Sequence, residues 1–291
     1  MKERPISLRT RELLSQHGIQ LKKSLGQNFL TDPHVLDKII QAASLTEKSG
    51  VIEIGPGIGA LTERLAEAAQ KVVAIEIDSR FIPILRKLFE NEPRVEIIND
   101  DALKVNLTEI ISKYFQEAST LHVVANLPYY VTSPILIHLL EQRLPLANIV
   151  IMIQKEVADR LKASPGTKDY SSLSVLVQYY AEVKEVAHVP GHVFIPRPQV
   201  DSSVVCLTLR EKPKIQVVNE QEFFNIVRAA FAKRRKTLLN SLYSSLLSAF
   251  SKKEVEKWIL EAGIDPKRRG ETLDLQEFAA LTEVIHHNFY S

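Results

Sequence analysis

The sequence predicts an α/β protein, in which a mostly parallel, Rossmann-like sheet with an antiparallel edge hairpin precedes a small all-helical domain. Between residues 33 and 210, short runs rich in β-branched residues alternate with stretches of helical periodicity. Strands joined by helical crossovers form parallel sheets that are covered on both faces. Beyond Arg210 only helical periodicity continues. We therefore expect two domains, residues 1–210 and residues 211–291.

The apolar runs give the order of elements in the first domain. Asp32 and Pro33 mark the start of a helix, because aspartate caps a helix and proline suits its first turn. Runs at 182–189 and 203–209 are joined by a proline-rich segment with no room for a helix, so they are expected to form the antiparallel hairpin. Other strands are expected at 50–54, 71–77, 95–98, 121–125 and 148–153, with helices at about 60–69, 79–90, 107–116 and 133–143.

The C-terminal part carries only helical signals after a linker at 211–214. Two capping boxes begin at Ser251 and Asp274, each with a glutamate three residues later. Apolar residues recur at helical spacing at Phe223, Phe224, Val227, Phe231, Leu238, Leu239, Leu242 and Leu246. These features predict a small helical domain.

The composition is that of an ordinary globular protein. Of the 291 residues 45% are hydrophobic, and the formal net charge is +2, so binding of nucleic acid would depend on local basic patches. Cys206 is the single cysteine, which excludes an intrachain disulfide and a zinc site made of cysteines. No apolar stretch approaches the ~20 residues of a membrane span. The first residues lack the apolar core of a secretory signal. A soluble, cytoplasmic and monomeric protein is expected.

A glycine-rich stretch follows the strand expected at 50–54. Residues 53–60 have the sequence EIGPGIGA, and glycine lets the backbone approach a ligand without a clash at Cβ. Open α/β sheets bind ligands at the carboxyl ends of their strands, where this stretch lies. The stretch also fits the pattern of nicotinamide dinucleotide sites. A third interpretation is that its glycines only form a structural turn. Glu53 before the first glycine, and the alternation of the glycines, favour S-adenosylmethionine, as in class I methyltransferases, which the stretch resembles.

Three further strand ends carry polar groups that suit the same ligand. Glu76 lies about 20 residues on, where a carboxylate commonly binds ribose hydroxyls. Asp100 and Asp101 follow the next strand, and a carboxylate there can accept a hydrogen bond from an adenine amino group. The sequence NLPYY at 126–130 follows the fourth strand. Four strand ends therefore offer polar groups at one edge of the predicted sheet.

The stretch from Asn126 to Tyr129 combines an amide, a proline and an aromatic ring. The exocyclic amine of adenine is a poor nucleophile, because its lone pair is delocalised into the ring. The side-chain oxygen of Asn126 and the carbonyl of Leu127 can both accept its hydrogens and orient the nitrogen. Pro128 stiffens the turn, and Tyr129 offers a face on which a base can stack. Neither a metal nor a covalent nucleophile is needed, since alignment for in-line displacement does the catalytic work. The alternative is a proline turn with core tyrosines.

Five motifs in order resemble those of the ribosomal RNA adenine N6-dimethyltransferase family, and within it the bacterial small-subunit branch, over nearly the whole chain. The motifs are SLGQNFL at 24–30, EIGPGIG at 53–59, NLPY at 126–129, FIPRPQVDS at 194–202 and FAKRRKTLLNSL at 231–242. The resemblance implies a class I methyltransferase sheet and an S-adenosylmethionine-dependent enzyme. Its implied substrate is a pair of adjacent adenosines in a hairpin loop near the 3′ end of 16S ribosomal RNA, within an assembling small subunit.

The resemblance also implies roles for individual residues. Phe194 would flank the target base opposite Tyr129. The residues implied to contact the cofactor are Asn28, Leu30, Gly55, Gly57, Glu76, Asp101 and Asn126.

The densest basic run is Lys233, Arg234, Arg235 and Lys236. Four consecutive helical residues point in directions about 100° apart, so they cannot form one face of a helix. A helix end, with Thr237 capping the next helix, would let them fan out toward RNA phosphates, and base flipping is the expected route to the amine. For the run at 267–269, RNA contact and a solvated face stay equally open. Basic residues beside other motifs complete the predicted RNA-binding set, namely Lys22, Lys23 and Arg197.

Three other functions compete with this interpretation. A large-subunit RNA dimethylase that confers antibiotic resistance is disfavoured by the long helical tail and by Gly26 in the first motif. A ribosome-assembly factor with secondary methylation activity stays open, because both roles can coexist. A nicotinamide-dependent dehydrogenase is the third option, and calorimetry of cofactor binding would distinguish it from a methyltransferase.

Overall fold

The computed structural model describes residues 6–19 and 26–290, and contacts between residues divide it into two compact units. The first unit is Met1–Ala158 with Val183–Leu209, and the second is Asp159–Glu182 with Arg210–Ser291. Residues 159–182 thus group with the C-terminal helices, whereas the sequence pattern predicts a single boundary after residue 210. The assignment of separate functions to the two domains stays a prediction.

The strands confirm the predicted fold class. They are β1 (Phe29–Leu30), β2 (Ser49–Ile54), β3 (Lys71–Glu76), β4 (Val95–Asn99), β5 (Thr120–Asn126), β6 (Leu146–Gln154), β7 (Ala181–Val189), β8 (Phe194–Ile195) and β9 (Ser202–Leu209). A seven-stranded sheet has the order β4-β3-β2-β5-β6-β9-β7. The strands from β4 to β6 pair in parallel, and β9 pairs antiparallel with β6 next to the edge strand β7. Strands β1 and β8 form a separate antiparallel pair.

The helices include several that the sequence pattern predicts and three that it does not. They are α1 (Ile6–Gln16), α2 (Pro33–Ala43), α3 (Ala60–Ala68), α4 (Ile82–Leu88), α5 (Leu107–Tyr114), α6 (Thr132–Glu141), α7 (Lys155–Lys162), α8 (Ser172–Tyr180), α9 (Glu220–Phe231), α10 (Leu238–Ser245), α11 (Lys252–Glu261) and α12 (Leu275–Tyr290). Asp32 caps α2 by accepting from two backbone amides, as predicted. Helices α1, α7 and α8 are additions to the predicted order. None of the helices in the described part of the chain is long and apolar enough to cross a membrane.

The core of the first unit lies between the sheet and the helices on its faces. All six residues of β2 are buried, as expected of a central parallel strand. Leu36 and Ile39 of α2 and Leu65 of α3 pack in one cluster with β-strand residues such as Val51. A second cluster joins Phe29, Ile58 and Phe81 with residues of α4. This second cluster is in contact with the glycine-rich stretch, because Ile58 belongs to that stretch and a Cβ atom on Gly59 would lie 3.0 Å from Phe89.

The second unit has an aromatic core that explains why residues 159–182 belong to it. The ring of Tyr179 on α8 stacks on Phe223 of α9 with centroids 5.3 Å apart. The hydroxyls of Tyr179 and Tyr180 donate to the two oxygens of the Glu220 carboxylate at 3.0 and 2.9 Å. Helix α8 is buried on most sides, so it lacks the polar face that would reveal a helix in the sequence. The predicted capping boxes at Ser251 and Asp274 are confirmed.

Candidate active site

A cleft in the first unit lies at the carboxyl ends of β2, β3 and β5 and encloses about 1190 Å³, counting its open mouth. Parallel strands end at one edge of the sheet, so residues far apart in the sequence meet there. Every residue with a predicted catalytic or cofactor role lines this cleft: Asn28, Leu30, Gly55, Gly57, Glu76, Asp101, Asn126, Leu127, Pro128, Tyr129 and Phe194. Their proximity is observed, and their individual roles stay predictions.

The glycine-rich stretch has a backbone that only glycine adopts easily. Gly55, Gly57 and Gly59 have φ angles of 73°, 58° and 84°, in the left-handed region that side chains disfavour. A Cβ atom on Gly57 would lie 2.8 Å from the ring of Phe29. Gly57 is therefore required both by its conformation and by the close approach of the N-terminal motif. Gly59 precedes α3, which starts at the cleft.

The N-terminal motif is held between the ends of several strands. Leu30 pairs with Phe194 in the β1–β8 ladder, which joins the first motif to the late loop of the sequence. The side chain of Gln27 donates to Asp78, two residues beyond the end of β3, at 2.8 Å. A hydrogen bond from Arg80 lowers the pKa of Asp78 to about 2, so this acceptor stays charged. The sequence pattern does not predict the β1–β8 pair, because two-residue strands leave no periodicity.

Asn126 is oriented by a contact with the same motif. Its side-chain nitrogen donates to the backbone carbonyl of Asn28 at 3.1 Å. Since that carbonyl can only accept, the amide nitrogen faces it, and Oδ1 remains as an acceptor for a ligand. The orientation is the one that recognition of an amine requires.

The residues after Asn126 are fixed by the sheet and by β9. The backbone N–H of Leu127 donates to Met152 of β6 at 3.2 Å. The hydroxyl of Tyr129 lies 2.9 Å from that of Ser202, within hydrogen-bond distance. Burial raises the pKa of Tyr129, so the phenol stays protonated. Phe194, also on the cleft, is only 4% exposed. The ring of Tyr129 is therefore held in place before any ligand binds.

Two buried carboxyl groups give the cleft its electrostatic character. Glu76 accepts hydrogen bonds from the backbone N–H groups of Gly57 and Asp78 at 3.0 and 2.8 Å. Glu53 accepts one from the hydroxyl of Thr62 at 2.6 Å. Burial raises the pKa of Glu76 and raises that of Glu53 to about 8. With Asp100 and Asp101, four carboxyl groups line the cleft, and the described lining contains no Lys, Arg or His.

Replacing Glu53 with Gln should stabilise the unliganded protein near neutral pH. The folded protein binds a proton at Glu53 more tightly than the unfolded chain does, so ionisation of Glu53 costs stability as pH rises from about 4.5 toward 8. We expect Glu53→Gln to raise the free energy of unfolding by about 2 kcal/mol at pH 7, because the gain is partly offset by an unpaired amide. At pH 4 Glu53 is protonated in most of both the folded and the unfolded protein, so this gain should be absent and the unpaired amide should leave the variant about 1 kcal/mol less stable. Urea denaturation at both pH values tests this, and a gain of the same size at pH 4 would contradict it.

Asp101 has local partners that position it at the cleft. Its carboxylate accepts from the backbone N–H of Leu103 at 3.0 Å and lies 3.7 Å from the ammonium group of Lys104. Asp101 is partly exposed, in contrast to the buried Glu53 and Glu76. It is thus placed to accept a further hydrogen bond from a ligand.

The predicted RNA-binding residues lie outside the cleft lining. Lys233, Arg234, Arg235 and Lys236 form the turn between α9 and α10 and are exposed. Thr237 caps α10 by accepting from the backbone of Asn240, so the predicted position at a helix end is confirmed. Arg197 is exposed between β8 and β9. Lys22 and Lys23 lie outside the described residues.

Two arginines of the second unit have structural partners. Arg234 forms an ion pair with Glu271 at 2.9 Å and donates to the backbone carbonyl of Lys168. Arg268 forms an ion pair with Glu277 and donates to the carbonyl of Thr272 at 2.7 Å. Lys233, Arg235 and Lys236 are therefore better candidates for RNA contact than Arg234, and Arg268 is part of the helical scaffold.

Comparisons with known proteins agree with the motifs. A family model described as ribosomal RNA adenine dimethylase matches residues 18–285. The ribosomal RNA small subunit methyltransferase A of Shouchella clausii is 54% identical over 278 residues, which cover 96% of this chain and 94% of the relative. The protein of the same name from Geobacillus thermodenitrificans is 55% identical over 278 residues, which cover 95% of this chain and 95% of the relative.

Solved structures give the same result. A dimethyladenosine transferase from Plasmodium falciparum superposes with a TM-score of 0.73 and 31% identity, covering 90% of this chain and 98% of that one. The 23S rRNA methyltransferase ErmE superposes with a TM-score of 0.64 and 26% identity, covering 89% and 99%. The family match spans both the cleft and the helical tail, and the chain therefore belongs to the ribosomal RNA adenine dimethylase family.

Proposed function

We propose that the protein transfers methyl groups from S-adenosylmethionine to the N6 amines of two adjacent adenosines in small-subunit ribosomal RNA. The observation that carries this proposal is the orientation of Asn126. Its amide nitrogen is occupied by the Asn28 carbonyl, so its oxygen is offered as an acceptor beside the Leu127 carbonyl. Two acceptors next to an aromatic ring suit a planar base with an exocyclic amine.

The charge of the cleft supports S-adenosylmethionine over a nicotinamide dinucleotide. A sulfonium cofactor carries a net positive charge at neutral pH, whereas a dinucleotide carries a negative pyrophosphate. The acidic groups Glu76, Asp100 and Asp101 of the cleft, with no cation in the described lining, favour the former and repel the latter. The residues present therefore fit S-adenosylmethionine. Glu76 would hold the ribose hydroxyls, Asp101 the adenine amine, and the backbone at Gly55 and Gly57 would pass close to the ligand.

The chain's own residues would act on the target base by orientation. When bound, S-adenosylmethionine supplies an electrophilic methyl group on a good leaving group. Asn126 Oδ1 and the Leu127 carbonyl would accept the two amine hydrogens, which turns the nitrogen lone pair toward the methyl group. Tyr129 and Phe194 would hold the two faces of the ring. Alignment of this kind contributes to catalysis without a covalent intermediate.

The curated relatives support the small subunit as the substrate. Proteins named for the small subunit are 54–55% identical to this chain over almost its whole length, whereas the 23S rRNA methyltransferase is 26% identical. We infer that the target is 16S RNA in the hairpin loop near its 3′ end, within an assembling subunit. A role in assembly beside the chemistry is compatible with this substrate.

We propose that Lys233, Arg235 and Lys236 bind RNA phosphates. Replacing all three with Ala should weaken subunit binding and lower the slope of log K against log salt by roughly 2 to 3, because fewer counterions are released. Arg234 is left in place because it is paired with Glu271. The matched control replaces the exposed lysines Lys252, Lys253 and Lys257 of α11. If both variants have the same slope of log K against log salt, the run at 233–236 is an ordinary solvated surface and does not bind RNA.

The proposed function is tested by mapping the methylated nucleotides. The protein is incubated with labelled S-adenosylmethionine and with small subunits from cells that lack this modification. We expect dimethylation of two adjacent adenosines in the 3′ hairpin loop of 16S RNA and none in large subunits. Label on 23S RNA alone, or no transfer to either subunit, would contradict the proposal.

A further inference from the structure

The second tyrosine of NLPYY has no part in the mechanism above, yet it lines the mouth of the same cleft. Tyr129 and Tyr130 both belong to a 3-10 turn, Tyr129–Val131, in which successive side chains point about 120° apart. Tyr129 points toward Ser202 and is partly buried, whereas Tyr130 is 54% exposed. An exposed aromatic ring at the cleft offers a face on which a base can stack.

The ring of Tyr130 lies beside the N-terminal motif. A Cβ atom placed on Gly26 would lie 3.5 Å from the ring of Tyr130 and 3.5 Å from Pro128, which is an ordinary contact distance. Gly26 has a φ angle of 54°, which favours glycine. The ring of Tyr130 is therefore near Gly26 and keeps an exposed surface toward solvent.

The charge of the cleft limits what can cover this surface. RNA phosphates are repelled by the acidic groups Glu76, Asp100 and Asp101, and the described lining offers them no cation. A nucleotide at the mouth must therefore be held by its base rather than by its backbone. Aromatic rings bind single-stranded bases by stacking, whatever the base.

We propose that Tyr130, beside Gly26 at the cleft, is a stacking platform for the nucleobase next to the target adenosine. The inference rests on the proposed function, since it assigns a second base site to the same RNA. When the target base turns into the cleft, its neighbour in the chain loses a stacking partner. Tyr130 replaces that partner, which stabilises the bound RNA without contacting the target base. Tyr130 touches no reacting atom and acts as a positioning residue.

The test uses 2-aminopurine, whose fluorescence is quenched by stacking, at single positions of the 3′ hairpin RNA. Complexes are formed with S-adenosylhomocysteine, so no transfer occurs. We expect Tyr130→Ala to give brighter fluorescence than the wild type at one position flanking the target, and equal fluorescence at the target. Tyr130→Phe should match the wild type. The control is Leu260→Ala, which removes another exposed apolar side chain, on α11.

Kinetics give a second readout. Tyr130→Ala should raise KM for the RNA about tenfold, as expected for one lost stacking contact, while the single-turnover rate at saturating RNA and the affinity for S-adenosylmethionine stay at wild-type values. Equal fluorescence at both flanking positions with an unchanged KM would overturn the proposal. So would a loss of cofactor affinity in Tyr130→Ala, which would assign the ring to the cofactor. Failure of the wild-type protein to methylate small subunits that lack the modification would instead contradict the proposed function.

Discussion

Replacing Asn126 with Ala should lower the single-turnover rate of methyl transfer by roughly 10²-fold or more, as for the loss of one oriented polar group from an active site. The variant removes the side-chain oxygen that is expected to accept from the target amine. Pro128 and Tyr129 stay in place, so the base can still enter and stack. RNA binding should change little, because phosphate contacts elsewhere dominate it.

The structure adds a second effect that the experiment must separate. Asn126 also donates to the Asn28 carbonyl at 3.1 Å, so its loss frees the N-terminal motif and is expected to weaken cofactor binding somewhat. The rate is therefore measured with cofactor and subunit both saturating. Asn148→Ala is the matched control, because this asparagine of β6 also donates to a backbone carbonyl, that of Ala43, and does not line the cleft. If Asn126→Ala transfers methyl groups at the wild-type rate, the Asn126 amide has no catalytic role and only forms part of the turn.

Replacing Glu76 with Ala should weaken the binding of S-adenosylmethionine by about 2–3 kcal/mol, as for hydrogen bonds to a charged group. In the structure, Glu76 also accepts from the N–H groups of Gly57 and Asp78. Part of the loss would therefore come from a looser glycine-rich stretch. Glu92→Ala is the control. This carboxylate lies before the amino end of β4, whereas the cleft is at the carboxyl ends of the strands, and it pairs with Arg94. Calorimetry gives the affinities.

A cofactor analogue separates direct from indirect effects of Glu76. An S-adenosylhomocysteine lacking both ribose hydroxyls should bind the wild type weakly and Glu76→Ala almost equally weakly, because both changes remove the same contact. Additive losses would show that Glu76 only supports the backbone. Unchanged affinity for the normal cofactor in a folded Glu76→Ala protein would rule out the assignment altogether.

The sequence predicts the sheet and the cleft because both depend on local patterns. Buried parallel strands are short apolar runs, and the polar residues that follow them converge at one edge for reasons of topology alone. Asn126 and Glu76 could therefore be placed in one site without a structure. The antiparallel hairpin at the edge of the sheet follows from the segment between its two runs, which has no room for a helix, whereas the order of the strands in the sheet has no local signal.

Contacts between distant segments left little local signal. The β1–β8 pair joins Leu30 to Phe194 through two-residue strands, which have no periodicity to detect. Helix α8 is buried on most sides, so an apolar run there does not distinguish helix from strand. The hydrogen bond from Gln27 to Asp78 depends on the final positions of two loops. Local patterns predict where the site lies in the sequence. The orientation of its side chains depends on these long-range contacts, which local patterns do not reveal.

The placement of the target amine is tested most directly by a crystal structure of the protein with S-adenosylhomocysteine and the 3′ hairpin RNA. We predict that the N6 nitrogen of the extruded adenine lies within about 3.2 Å of both Asn126 Oδ1 and the Leu127 carbonyl oxygen, the usual limit for such hydrogen bonds. The adenine ring should lie between Tyr129 and Phe194. An adenine whose N6 bonds to other groups, or lies beyond hydrogen-bond reach of Asn126, would contradict it.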